Sequence, residues 1–269
     1  MAVQLLGNGV TLSFDDVGNG RPVVFLHGVM MSRQFFKHQI PYFSRYYRAL
    51  ALDFRGHGDS DKVLSGHTVS TYAHDLRALF EVRCVEHPVL VGWSMGAMVI
   101  FEYLKLFGQG DVAGIVIIDQ PPSDFVWQGY EFGVFTLEWL IRSVEGLQTD
   151  QRALVRNFVD LMLHEPVKPV VDWMVEEIVK VPPAIAVSIL MTQTFRDYRD
   201  FFSSIHVPTM VVFGRDDKLT SPRAGEYIAS QVPAAKLQIF EQSSHCPFYE
   251  EPELFNRVLH EFVSSLVSD

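Results

Sequence analysis

"VLVGWSMGAMVIFEYL", residues 89–104, runs a short apolar strand into a serine between two glycines and straight on into a helical pattern. No loop separates the two elements. At so sharp a turn the residues two before and two after the serine come close together, so both must be small, and Gly92 and Gly96 meet that need. Gly92-Trp93-Ser94-Met95-Gly96 fits the pattern Gly-x-Ser-x-Gly, with strand before it and helix after it. The chemical reading is that the turn holds the Ser94 hydroxyl out as a nucleophile. Backbone N–H groups and the positive dipole end of the helix that begins at Met95 then lie beside it. A strand-to-helix turn also takes small residues for packing alone, so the rest of the chain has to decide.

Outward from this turn, short β-branched or aromatic runs alternate with longer amphipathic ones. Strands are expected at Gly9–Asp15, Pro22–Leu26, Arg48–Asp53, Pro88–Val91, Val112–Ile118, Thr209–Phe213 and Lys236–Phe240. Helices are expected at Ser32–Ser44, Ser70–Arg83, Met95–Phe107, Ser221–Gln231 and Pro252–Leu266. Runs such as "GIVIID" and "TMVVFG" are apolar on both faces, as buried parallel strands are. "GVTLSFDDVGNGRPVVFLHG" alternates instead around Gly18-Asn19-Gly20 and predicts an antiparallel hairpin where the sheet opens. The pattern is that of an α/β protein with a doubly wound, mostly parallel sheet. From about residue 120 to 202 it breaks into helix-period aromatic and aliphatic residues, among them Phe135, Trp139, Leu154, Phe158 and Leu161, punctuated by prolines. This predicts a helical cap at 120–202 inserted into a core of 1–119 and 203–269.

Composition narrows the function. A formal charge of −10 argues against a nucleic-acid or anionic-membrane partner, since a phosphate backbone is bound through a basic footprint. No apolar run approaches the length of a membrane span, and the start "MAVQLLGNGVTLSFDD" has neither a basic nor an apolar leader region, so a cytoplasmic location is expected. Cys84 and Cys246 offer neither a disulfide framework nor a paired metal spacing. His-Glu-x-x-His, Cys-x-x-Cys, the phosphate-binding loop motif and the dinucleotide fingerprint are all missing, so no metal and no cofactor is expected. The sequence specifies no oligomeric state.

A serine hydroxyl needs a base, and the base an orienting acid. Of ten histidines, His245 in "FEQSSHCPFYEEPELF" stands after the last expected strand and before the last helix, on the sheet edge that Ser94 also occupies. The preceding strand ends in "VVFGRDDKLTSP", which offers Asp216 and Asp217. Serine, acid and histidine in that chain order follow the order of α/β-hydrolases. "VVFLHGVMMS" places His27-Gly28 at the end of an early strand, making the Val29 and Met95 N–H groups candidate oxyanion donors. His27 itself reads as structural, and Asp53, Arg55 and His57 in "DFRGHGDSD" as braces of neighbouring turns.

Together, "LHG" at 26–28, "DFRGHGDSD" at 53–61, "GWSMGA" at 92–97, "FGRDD" at 213–217 and "SSHCPFYEEP" at 243–252 resemble the α/β-hydrolase fold superfamily along nearly the whole chain. Within it the chain is similar to small esterases and cofactor-free haloperoxidase-like (perhydrolase) enzymes. The resemblance implies Ser94, Asp217 and His245 as the triad. It prefers Asp217 to Asp216 because the acid usually stands three residues after the strand-ending glycine, here Gly214. Asp119, closing "GIVIID", is the rival acid, since some members supply it from an earlier strand. The implied activity is hydrolysis of a small to medium, partly hydrophobic ester or lactone through an acyl-enzyme, with perhydrolysis as a side reaction. Met30, Trp93, Phe125 and Trp127 are the expected pocket residues, because they flank the elbow, the oxyanion turn or the cap entrance. Two alternatives stay open: a slow-turnover ligand receptor on the same fold, and a C–C bond hydrolase that recruits a basic residue from Arg142, Arg152, Arg156 or Arg196.

Overall fold

The computed structural model describes residues 1–233 and 235–266, and among these eight strands form one sheet. Residues 267–269, the end of the expected core segment, lie outside the described residues. The strands are β1 (Ala2–Leu5), β2 (Thr11–Val17), β3 (Pro22–Leu26), β4 (Arg48–Leu52), β5 (Val89–Trp93), β6 (Gly114–Ile118), β7 (Thr209–Gly214) and β8 (Ala235–Phe240), in the spatial order β1-β2-β4-β3-β5-β6-β7-β8. The helices are α1 (Ile40–Phe43), α2 (Val69–Arg83), α3 (Met95–Phe107), α4 (Leu137–Thr149), α5 (Gln151–Met162), α6 (Lys168–Ile178), α7 (Pro183–Thr194), α8 (Arg223–Gln231), α9 (Pro247–Glu250) and α10 (Pro252–Ser265). From β4 to β8 every neighbouring pair is parallel. β3, β5, β6 and β7 are buried at every residue, so helices cover the sheet from both sides, as their unbroken apolar sequences require.

The opening of the sheet differs from expectation. Gly18-Asn19-Gly20 does not join a hairpin: β2 pairs antiparallel with β1 and β4, and β4 separates it from β3. The antiparallel hairpin is β1–β2, around Gly7-Asn8-Gly9, and the short, largely exposed β1 forms the sheet's edge. β3 is apolar on both faces and takes a central position, whereas β2 has a half-exposed end that suits the flank. Gly18 serves another purpose. It holds φ +87°, and a Cβ there would stand 2.2 Å from the Tyr47 carbonyl oxygen, so only glycine lets this turn pass beneath the approach to β4.

Between β6 and β7 the chain makes α4, α5, α6 and α7, which pack on one another, with α7 also touching α2. Asp150 caps α5 by accepting from Ala153 N–H, and Thr136 caps α4 by accepting from Trp139 N–H, whereas α6 and α7 begin with a proline in their first turn and no side-chain cap. No helix among the described residues is long and apolar enough to cross a membrane.

Candidate active site

Ser94 closes β5 and opens α3 with φ 51° and ψ −122°, a conformation that costs roughly 1–3 kcal/mol for a residue with a side chain. Packing enforces it. A Cβ at Gly96 would lie 2.1 Å from the Leu26 carbonyl oxygen, and one at Gly92 would lie 2.6 Å from the Ala97 nitrogen. Ser94 N–H donates to the Ile118 carbonyl at 2.9 Å, pinning the strained residue to the end of β6. The turn at 27–30 presses against it: a Cβ at Gly28 would stand 3.3 Å from Ser94 Cβ. Among the described residues neither Val29 N–H nor Met95 N–H has a hydrogen-bond acceptor, which leaves both free at the mouth of the elbow.

His27 fixes that turn. Its Nδ1–H donates to the Gly28 carbonyl at 2.8 Å, and its Nε2 accepts Phe54 N–H at 3.1 Å. The accepting Nε2 requires a neutral ring. Burial, with the neighbouring His57 charge, holds its pKa well below the usual imidazole range. Both His27 and the "DFRGHGDSD" loop are braces, as expected. Asp53 accepts from Arg33 and from Asp59 N–H, and Arg55 clasps Asp75 at 2.5 Å.

The structure brings Asp217 and His245 together. His245 Nδ1 lies 3.0 Å from Asp217 Oδ2, so an ionised Asp217 fixes the proton on Nδ1 and leaves Nε2 with its lone pair. Asp217 also accepts Leu219 N–H at 2.7 Å and the Thr220 hydroxyl. Burial pushes the Asp217 carboxyl up, but the His245 charge and hydrogen bonds from His245, Asp119 and Thr220 outweigh it and hold it below the usual carboxylate range. Asp216, the neighbouring candidate, faces outward and pairs with His164 at 2.7 Å. The loop carrying His245 is braced by acids of the same stretch: Ser244 N–H donates to Glu250, and the Ser243 hydroxyl donates to Glu251.

Ser94 and His245 line one cavity of about 210 Å³, with Val29 and Met30 beside them. Val134, Phe135, Trp139, Leu147, Leu154, Phe158, Leu161 and Leu190, all from the segment between β6 and β7, make its walls largely apolar. Gln120, Asp124 and Gln193 form a polar patch in it.

Residues 23–258 match the model of the Alpha/beta hydrolase family. The chain belongs to that family. Along 259 residues it is 26% identical to the AB hydrolase superfamily protein YisY of Bacillus subtilis (strain 168), covering 95% of this chain and 96% of the relative. It is 27% identical to the non-heme chloroperoxidase CPO-A1 of Kitasatospora aureofaciens, over 98% of this chain and all of the relative. An esterase structure, EaEST from Exiguobacterium antarcticum, superposes with a TM-score of 0.94 at 25% identity, covering 98% and 99% of the two chains.

In this α/β-hydrolase three of the four expected pocket residues lie elsewhere. Met30 lines the cavity, but Trp93, Phe125 and Trp127 are not part of its lining. Trp93 points beneath the elbow, its indole N–H donating to the His245 carbonyl at 2.8 Å and its ring packed on Phe35 and Phe248. Adjacent residues on a strand face opposite sides, so the residue before the nucleophile is turned away from the substrate. Phe125 and Trp127 pack on each other, and Phe125 on the exposed Phe195, while Trp127 donates to Ser123. None of Arg142, Arg152, Arg156 and Arg196 lines the cavity; they pair with Glu138, Glu176, Asp172 and Glu102. Sequence reasoning missed Gln120, Asp124 and Gln193. The available signal was Gln193 within the apolar run "PAIAVSILMTQT", because a glutamine is seldom buried without a task.

Proposed function

We propose that the protein is a serine hydrolase of carboxylic esters or lactones, with residues 120–202 serving as a cap over its site. The observation that carries this reading is the strained Ser94 sharing one cavity with a His245 whose Nδ1 is held by Asp217. His245 Nε2 takes the Ser94 proton as Oγ attacks the acyl carbon, and Asp217 stabilises the imidazolium that forms. The free Val29 and Met95 N–H groups receive the tetrahedral oxyanion, each worth about 2.7–4 kcal/mol in the transition state. Collapse expels the alcohol, which takes the proton from His245 and leaves an acyl-Ser94 ester. Water, deprotonated by His245, attacks that ester and releases the acid. Hydrogen peroxide attacking in place of water releases a peracid and regenerates the same serine, which makes perhydrolysis a side reaction of one mechanism.

The cavity supports an uncharged, partly hydrophobic acyl group. It exceeds the roughly 150 Å³ that admits benzene, and among the described residues no arginine or lysine lines it to hold an anionic substrate. Absence of a lining cation weighs against C–C bond hydrolysis of anionic carbonyl compounds.

The test is steady-state and burst kinetics on p-nitrophenyl esters of graded acyl length. Rapid multiple turnover is expected, with Ser94→Ala slowing kcat by about 10⁴-fold or more. Turnover that survives in Ser94→Ala overturns the mechanism. A single burst followed by silence favours a ligand receptor.

A further inference from the structure

At one wall of the cavity, apart from Ser94 and His245, stands a group of three almost fully buried polar side chains. Gln120 and Asp124 follow β6, and Gln193 lies near the end of α7. Gln120 Nε2 donates to Asp124 Oδ1 at 2.7 Å and to the Pro121 carbonyl at 2.8 Å. Gln193 Nε2 donates to Asp124 Oδ2 at 3.0 Å. Asp124 makes no ion pair among the described residues, although it lies near enough to feel the His245 charge.

The direction of these bonds decides what the group lacks. An ionised carboxylate only accepts, so both glutamines must turn their nitrogens toward Asp124. Gln193 Oε1 is thereby left over. It is buried and has no hydrogen-bond partner among the described residues, in a residue only 2% exposed that lines the cavity. Each Asp124 oxygen receives one bond from a glutamine and retains further lone pairs. Gln120 spends its two amide N–H groups on Asp124 and the Pro121 carbonyl, and Gln193 spends one of its two on Asp124, so open acceptors outnumber open donors in the patch. Buried polar atoms are almost always paired, so an unpaired acceptor on a residue that lines the cavity points to a donor supplied by a ligand.

We propose that Asp124 and Gln193 form a subsite for a hydrogen-bond donor of the substrate, so that the favoured esters or lactones carry a hydroxyl or amide N–H away from the scissile carbonyl. The substrate class rests on the ester-hydrolase reading above; the subsite rests on the open acceptor. A site that bonds a substrate donor discriminates strongly against the analogue lacking it, because its own polar groups are then stranded. Plain hydrocarbon esters fill the apolar walls and leave Gln193 Oε1 unpaired, so they are turned over as the poorer series. Burial also lifts the Asp124 carboxyl to about 6, against the hydrogen bonds from Gln120 and Gln193 and the His245 charge, and at neutral pH it stays mostly an acceptor.

The experiment compares methyl pentanoate with methyl 3-hydroxypentanoate, methyl 5-hydroxypentanoate and methyl 4-acetamidobutanoate, and with methyl 4-oxopentanoate as an acceptor-only control. At least one donor-bearing ester should exceed methyl pentanoate in kcat/KM by about tenfold or more, and the oxo ester should not. Which donor wins separates hydroxyl from amide recognition. Gln193→Met should bring the ratio near one, and Asp124→Asn, nearly isosteric with the native residue, should lower it as well. Because the readout is a ratio within one preparation, partial misfolding of a variant does not mimic the effect. Calorimetric binding of the same esters to Ser94→Ala should show the same ranking without turnover. Equal turnover of plain and donor-bearing esters by the wild type overturns the subsite and leaves the hydrolase reading standing. A ratio unchanged in both variants likewise overturns the subsite. Donor-selective binding by Ser94→Ala with no ester hydrolysed by the wild type supports the subsite and overturns the hydrolase reading.

Discussion

The carboxyl groups of Asp119 and Asp217 meet beside His245, with one atom from each of the three residues lying within 4.8 Å of the other two. Asp119 follows β6 with φ 44°, is fully buried, and accepts Gly214 N–H on Oδ2. Its Oδ1 has no ordinary donor among the described residues. Burial first, and then the charge of Asp217, push the Asp119 carboxyl well above its usual range, so it holds a proton that it offers to Asp217. The rival acid of the sequence is a partner of the acid that touches His245.

Asp119→Asn should therefore keep the geometry, its amide nitrogen donating to Asp217 and its oxygen accepting Gly214 N–H, with kcat/KM within a few-fold of wild type. Asp119→Ala removes a hydrogen bond to a buried charge and should cost about tenfold or more. The pH dependence has a definite sign. The native state keeps a proton that the unfolded chain releases above its ordinary value of 3.8, so the wild type loses stability as pH rises from there toward the raised native value. Asn does not titrate, so the melting temperature of Asp119→Asn minus that of wild type should grow as the pH rises above 3.8. A constant difference would mean that Asp119 is already ionised.

His57 titrates the other way. It is buried beside His27, its Nδ1–H donating to the Arg55 carbonyl at 3.0 Å, and burial lowers its pKa from 6.5 to about 3. The unfolded chain binds this proton first, so stability is present above 6.5 and is lost as pH falls from there toward about 3. His57→Asn keeps a donor for Arg55 and removes the titration. The fall of melting temperature with acidification should be shallower in this variant, and an unchanged slope would refute the neutral-histidine account.

Trp93 and Leu190 should separate by phenotype. Trp93→Phe deletes the indole bond to the His245 carbonyl without touching the cavity, so it should slow esters of every acyl length alike and destabilise by about 1–3 kcal/mol. Leu190→Ala enlarges the cavity and should shift the preferred acyl length upward while sparing the smallest esters. A length-selective effect of Trp93→Phe would place the indole in the substrate's path after all.

The elbow glycines can be tested without substrate. Gly96→Ala forces a methyl into the Leu26 carbonyl and should cost about 3 kcal/mol or more by chemical denaturation. Gly110→Ala, where a Cβ meets nothing within 4 Å, should stay within about 0.5 kcal/mol.

What the sequence disclosed follows the range of the interaction involved. The elbow is a local event: Gly92, Ser94 and Gly96 are constrained by one turn, and α3 begins and ends where its periodicity predicts. Asp217 and His245 were legible because parallel strands bring their C-terminal ends to one edge, so chain order stands in for distance. The partner of β2 was not legible. Gly7-Asn8-Gly9 and Gly18-Asn19-Gly20 carry the same turn chemistry, and only burial of β3 on both faces decides which one closes a hairpin. Nor was the direction of Trp93, Phe125 and Trp127, since an aromatic side chain near an elbow packs over or under it according to contacts from distant segments such as Phe248 and Phe195. Gln193 escaped for the same reason, because its role appears only when α7 is brought against Asp124.

The register of β6 against β7, from Ile115↔Thr209 to Ile118↔Val212, is made by strand residues alone, while the crossover between them supplies Trp139, Leu147, Leu154, Phe158 and Leu190 to the cavity. The cavity walls and the Ser94, Asp217 and His245 group thus come from different lengths of chain. A descendant that exchanged the helices of this one crossover would acquire a different clientele, and would keep the posture of His245 only if the new crossover again offered a carbonyl to the His245 N–H, as Met162 does here.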